Sequence, residues 1–195
     1  KEAAAKAGIT GTSSLKDRLR FMKGRNIGIS RTGAMGHFFL LYALAKGGLA
    51  PKDVNILGLG RPSALLANLA RKEIDAFVFV PPISVIPVVK GSAIRLASGP
   101  LRHFPELVPF PYTSLDTMEK TIRTNPDLVQ RMARATVKGL KFIHEHPEET
   151  KAILRTNFKK LPDAVFKEAV RLVLPVHSKT GRTSAETLKK AQMFL

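Results

Sequence analysis

The residues best suited to chemistry fall in three short segments, each where an apolar run gives way to an amphipathic one. The first is Ser30-Arg31-Thr32-Gly33-Ala34-Met35-Gly36-His37. It joins Ile27-Gly28-Ile29 to a helical pattern, so its free backbone N–H groups and the Ser30 and Thr32 hydroxyls can hold an anion at a helix start. A tight turn with a hydroxyl cap explains the same residues equally well. The second, Gly58 to Ser63, offers glycines, Gly60 among them, for close backbone approach and Ser63 at a helix start; a packed connector is the plainer reading. The third, Phe79-Val80-Pro81-Pro82-Ile83-Ser84, sets apolar and hydroxyl groups at a strand end stiffened by two prolines. In an open parallel α/β sheet, ligands bind outside the carboxyl ends of the strands, and all three segments belong to that edge.

Catalytic patterns are weaker. With no cysteine in the chain, thiolate zinc sites, iron–sulfur clusters, CxxC redox chemistry and cysteine nucleophiles are excluded. The histidines, His37, His103, His144, His146 and His177, have no metal-ligand spacing, and a solvated or helix-capping role suits them. His37 alone stands out, one turn after the glycine loop. Ser13-Ser14-Leu15-Lys16 and Lys179-Thr180-Gly181 satisfy S-x-x-K and K-T-G, but the S-D-N element of that acyl-transfer set is absent. No P-loop, G-x-G-x-x-G or G-x-S-x-G occurs. Binding without catalysis, cofactor or metal is expected.

The elements that must position these segments follow a βαβαβ rhythm. Residues 1 to 20 read as a short polar helix, a Gly8 to Gly11 break and a second helix from Ser13 or Ser14. Strands are predicted at Ile27 to Ile29, Val54 to Leu59, Ile74 to Val80 and around Ile94 to Ala97, with helices over His37 to Lys46 and Ala64 to Arg71. Continuous apolar strands alternating with helices predict a parallel sheet covered on both faces. Beyond the Pro-rich passage 100 to 111 the pattern turns helical, with breaks at Asn125-Pro126, His146-Pro147 and Leu161-Pro162 and a last helix from Ser184. In helix 126 to 145, Arg131, Arg134, Lys138 and Lys141 share a narrow face and apolar residues cover most of the rest. That width predicts a large partner surface, a sheet whose strands precede Lys1, so the chain reads as a fragment that alone binds ligand weakly.

Charge adds a partner class. The 195 residues carry 32 Lys and Arg against 15 Asp and Glu, a formal net charge of +17. Anionic partners follow from that surplus. The basic residues are scattered, aromatics are few and no RNP-like or zinc-finger pattern is present, so nucleic acid is not expected. No stretch reaches the length of a membrane span.

The run 19 to 29 with Lys23-Gly24-Arg25-Asn26-Ile27-Gly28, then Thr32-Gly33-Ala34-Met35-Gly36-His37, Gly48-Leu49-Ala50-Pro51, Glu73-Ile74-Asp75-Ala76-Phe77 and Lys138-Gly139-Leu140-Lys141-Phe142-Ile143 resembles the ABC-transporter solute-binding proteins of the nitrate/sulfonate/bicarbonate, NMT1/THI5-like group. The resemblance implies a type II periplasmic-binding-protein fold, with 1–24 a crossover segment, 25–110 the second α/β lobe, and 111–195 the return crossover and carboxyl-terminal helices of the first lobe. It also implies a periplasmic protein that takes a small anionic ligand at Ser30, Thr32, Gly33, Ala34, Met35, Gly36, His37, Gly60, Pro81, Pro82 and Ser84 and passes it to an inner-membrane permease. The thiamine-pyrimidine synthase branch depends on a cysteine-rich motif that this chain lacks. An effector-sensing lobe of a transcriptional regulator and a tripartite-transporter receptor are the alternatives of similar architecture.

Overall fold

The computed structural model describes residues 1–192, so the last three positions of the expected 111–195 segment lie outside the described residues. Three short strands, β1 (Asn26–Ile29), β2 (Asn55–Gly58) and β3 (Ala76–Phe77), form a parallel sheet in the order β2-β1-β3. β1 is central: Ile27 pairs with Ile56 on one side and Ala76 on the other. Its two isoleucines are sealed from solvent, as a strand covered on both faces requires. Between them Gly28 faces the opposite way, where an added β-carbon would lie 2.9 Å from both Ile74 and Leu65.

Helices α1 (Glu2–Lys6), α2 (Leu15–Arg20), α3 (Met35–Gly47), α4 (Pro62–Ala70) and α5 (Ile86–Val89) accompany the sheet. Leu40, Ala43 and Leu44 of α3 join Leu19, Met22, Ile27, Ile29, Val54 and Phe104 in the main core. Ser14 caps α2 by accepting from the Asp17 N–H at 3.1 Å. α3 ends at Gly48 in the left-handed conformation, φ 73°. The remaining helices are α6 (Glu119–Thr124), α7 (Pro126–Glu145), α8 (Pro147–Asn157), α9 (Asp163–Val173) and α10 (Ala185–Gln192). Pro126 and Pro147 take first-turn positions, where a missing N–H costs nothing. Val165, Ala169 and Leu172 of α9 close a second core with Val85. Arg95 and Glu168 cross from the first core region to α9 at 3.0 Å. No residue of α7 is buried, and Leu128, Met132 and Val137 stand exposed. No helix among the described residues is long and apolar enough to cross a membrane.

Three expectations change. The strand at Ile94 to Ala97 does not form: the Arg95 carbonyl accepts from the Arg18 guanidinium at 3.2 Å, and Leu96 and Ala97 pack on the core from an irregular segment. The third strand shrinks from Ile74–Val80 to Ala76 and Phe77, flanked by single bonds from Asp75 N–H to the Asn26 carbonyl and from Val78 N–H to the Gly28 carbonyl, beyond which the chain runs into the Pro81-Pro82 turn. His103 is neither solvated nor a cap: its Nδ1 is buried without a hydrogen-bond partner, and desolvation, then the Arg18 and Arg95 charges, hold its pKa below the usual value.

Two measurements test this packing. At Gly47 a β-carbon would lie 2.9 Å from the Leu19 β-carbon and 3.2 Å from its carbonyl carbon, groups that move only with the α2 backbone. Gly47→Ala is expected to destabilise the fold by about 1–3 kcal/mol, read as a lower urea midpoint at an unchanged m-value. Glu106 accepts from Lys46 Nζ at 2.6 Å and from the Tyr42 hydroxyl at 2.5 Å, which pins the 105–107 turn onto α3. Lys46 first, then Tyr42, holds its pKa down to about 2 from 4.5. Between those values the unfolded chain binds the extra proton, so the stability this cluster adds is present above pH 4.5 and drains away as pH falls toward 2. Urea unfolding at stepped pH is expected to show a shallower loss across that window in Glu106→Gln.

Candidate functional site

All three segments singled out by composition come together at the carboxyl-terminal edge of the sheet. Ser30 through Gly36 leave the central strand, so they lie between the loops from its two neighbours. The Gly60 N–H donates to the Ser30 carbonyl at 2.8 Å and Leu59 N–H to the Ile29 carbonyl at 2.9 Å, extending the β1–β2 pairing into both loops. On the other side Val78 N–H donates to the Gly28 carbonyl at 3.0 Å. A β-carbon at Gly36 would stand 3.6 Å from the Val78 carbonyl oxygen, so the start of α3 abuts the end of β3.

The first two loops each turn on a left-handed glycine, Gly33 at φ 78° and Gly60 at φ 72°. Gly33 N–H donates to His37 Nδ1 at 3.3 Å, which leaves the ring proton on Nε2. Ala34 is the α3 N-cap and cannot cap through its side chain, so α3 begins two residues earlier than the expected His37 with first-turn N–H groups unclaimed by any side-chain cap. α4 likewise starts at Pro62 rather than Ala64, with Arg61 as an N-cap that makes no side-chain cap bond. Pro81 and Pro82, joined by a cis bond, follow Val80, and Ser84 N–H turns back to the Val80 carbonyl at 3.3 Å. The hydroxyls of Ser30, Thr32, Ser63 and Ser84 have no side-chain hydrogen bond among the described residues. Shallow hollows at Ile122–Ala133 and Thr156–Leu161 include no edge residue. The edge is an open wall of donors and apolar groups.

Two residues at this wall escaped the site expected from sequence: Arg31, inside the first loop, and Arg61, next to Gly60. Both are exposed, and neither guanidinium has an ionic or hydrogen-bond partner among the described residues. A legible signal pointed to them. No Asp or Glu occurs in 18–52, 54–72 or 76–105. The acids between these stretches lie elsewhere and are engaged. Asp53 accepts from Ala50 N–H, Glu73 from Arg71, and Asp75 from Arg25 and from Asn26 N–H, at the opposite end of the strands.

An open parallel sheet whose strand-to-helix loops share one edge, followed by a helical return, is the type II periplasmic-binding-protein fold. Solved structures of that architecture superpose on the chain. The alkanesulfonate-binding protein SsuA from Xanthomonas axonopodis pv. citri, bound to MOPS, matches with TM-score 0.68 and 21% identity over 90% of this chain and 57% of its own. The periplasmic aliphatic sulphonate binding protein SsuA from Escherichia coli gives 0.67 and 19% over 94% and 59%. A mutant of DszB in complex with biphenyl-2-sulfinic acid gives 0.60 and 15% over 95% and 65%. The chain therefore spans less than two thirds of the length of these proteins. No curated protein matches it closely by sequence. The NMT1/THI5-like family matches residues 6–150, and the chain belongs to that family.

The glycine turns are directly testable. At Gly60 nothing surrounds an added β-carbon, so only the left-handed backbone opposes it; at Gly58 φ is ordinary and the nearest atom, Arg31 Cα, is 3.9 Å away. Gly60→Ala is expected to cost about 1–2 kcal/mol and Gly58→Ala no more than about 0.5 kcal/mol, measured by chemical denaturation.

Proposed function

We propose that this chain is part of the solute-binding component of an ABC importer and that its sheet edge captures a small anion for delivery to a membrane permease. One observation carries the reading. Every α-helix among the described residues that starts away from the edge, α1, α2 and α6 to α10, has an Asp or Glu in its first turn, the placement that complements a helix dipole. α3, α4 and α5, which follow the three strands, have none. The positive helix ends are left for a ligand to neutralise.

In this reading residues 1–24 are a crossover segment whose α2 packs against α3, 25–110 form the second α/β lobe, and 111–195 supply the return crossover and the carboxyl-terminal helices of the first lobe. The ligand lies against Ser30, Thr32 to His37, Gly60, Pro81, Pro82 and Ser84. The edge supplies N–H groups, hydroxyls, one imidazole and guanidiniums, with no carboxylate among the described residues there to act as acid or base. That set suits holding an anion and releasing it unchanged. Closure would follow from ligand contacts made by both lobes in one state. The family and the names of the structural relatives support a periplasmic location.

Thermal-shift measurements on the protein expressed from its complete reading frame, against sulfonates, carboxylates, nitrate and pyrimidines, test it. A ligand at 100 times its dissociation constant adds about 2.7 kcal/mol, a rise of several degrees in the unfolding midpoint. No shift with any solute, together with salt-sensitive binding of DNA, would overturn the reading.

A further inference from the structure

We infer that Arg31 and Arg61 form a two-point grip and that the bound solute is a doubly charged oxyanion. This rests on the solute-binding reading and names its substrate class. The two arginines are the next residues along the chain from the ends of one hydrogen bond, Ser30 C=O to Gly60 N–H at 2.8 Å. The backbones of Ser30 and Gly60 are thereby held about one strand spacing apart, roughly 4.8 Å, which sets Arg31 and Arg61 on neighbouring loops. The positive φ of Gly60 fixes the direction in which the chain leaves that bond toward Arg61.

Their placement runs against the rules that govern the rest of the sheet's surroundings. Arg61 occupies an N-cap, where Ser, Thr, Asp or Asn is favoured, and puts a full positive charge on the positive end of α4. Arg31 lies four residues before α3 begins and has the same character. Several arginines near the sheet and the second core are answered by carboxylates, Arg25 by Asp75, Arg71 by Glu73, Arg95 and Arg171 by Glu168, Arg155 by Asp163. Arg18 donates to the Ser13 and Arg95 carbonyls, whereas Arg20 and Arg102, outside the edge loops, stand without a carboxylate among the described residues. Arg31 and Arg61, on neighbouring loops at the edge, have no carboxylate partner among the described residues, and no acid lies within the adjoining stretches of sequence. Local rules broken together at one place mark a site whose missing partner comes from outside. Two guanidiniums present two donor forks to oxygen, and a ligand with two negative charges neutralises both where a monoanion leaves one unanswered. The charges sit on two carboxylates or on one phosphonate.

Calorimetric titration of the protein from its complete reading frame tests the grip with matched pairs, succinate against succinamate and methylphosphonate against methanesulfonate at pH 8. The wild type is expected to favour the dianion in at least one pair. Arg61→Gln, at an exposed residue with no side-chain bond to lose, is expected to weaken that dianion about tenfold and its monoanion less than about threefold, with Arg31→Gln behaving alike. Lys52→Gln, which removes an exposed charge at the far end of the sheet, is expected to change neither. If the protein binds a solute and Arg61→Gln leaves the dianion preference intact, or Lys52→Gln lowers it equally, the grip is overturned while solute binding stands. If the wild type binds no anion here and no solute in the thermal-shift panel, both fall.

Discussion

The structure depends on the four residues of β1. A parallel strand flanked on both sides has no solvated face and no free ladder, so its side chains must be apolar or absent and the polar groups of the sheet must gather at its ends. Ile27 and Ile29 press into the core shared with α2 and α3, while Gly28 admits Leu65 and Ile74 from the other side at a distance no β-carbon would tolerate. With the strand immobilised on both faces, the first residue free to do anything else is Ser30. The position of the candidate site is thus a consequence of where burial stops.

The same strand separates charge. At its start Asn26 N–H and Arg25 engage Asp75, and on β2's side Asp53 closes the turn before the strand through Ala50 N–H. At its finish the loops hold arginines, an imidazole and hydroxyls without one acid. Acids at the start relieve exposed N–H groups and seal the turns. The absence of acids at the finish leaves helix ends without a complementary charge, a stability cost that the proposed solute binding would offset.

Much of this was legible in residue order. The apolar triplet at 27–29, the Gly47-Gly48 stop, the prolines at 126 and 147 and the Ser184 cap each encode a local decision that neighbours do not override. Ile94 to Ala97 misled because strand character needs a partner ladder as well as apolar side chains, and the Arg18 guanidinium claims the Arg95 carbonyl instead. His103 misled in the opposite sense, since its burial brings it near Arg18, far away in sequence, and no local pattern announces it. The loops were visible by position, while Arg31 and Arg61 were marked only by the acid-free stretches around them. An exposed arginine is ordinary until the pairing of the strands sets its loop beside another that also has an arginine before a helix and no acid.

That juxtaposition has an energetic corollary. Two cations beside two positive helix ends repel one another most when nothing lies between them, and solvent screens the repulsion only partly at distances below the Debye length of about 8 Å. In the proposed reading an anion entering the edge would gain its own attraction and also relieve that repulsion. Affinity obtained this way would depend on charge more than on shape, so one pair of loops would hold anions of differing bodies while Met35, Val80, Pro81 and Pro82, the apolar residues along the same wall, would discriminate among those bodies. Charge selection and shape selection would then be carried by different residues on the same edge, and each could change without dismantling the buried strand that positions both.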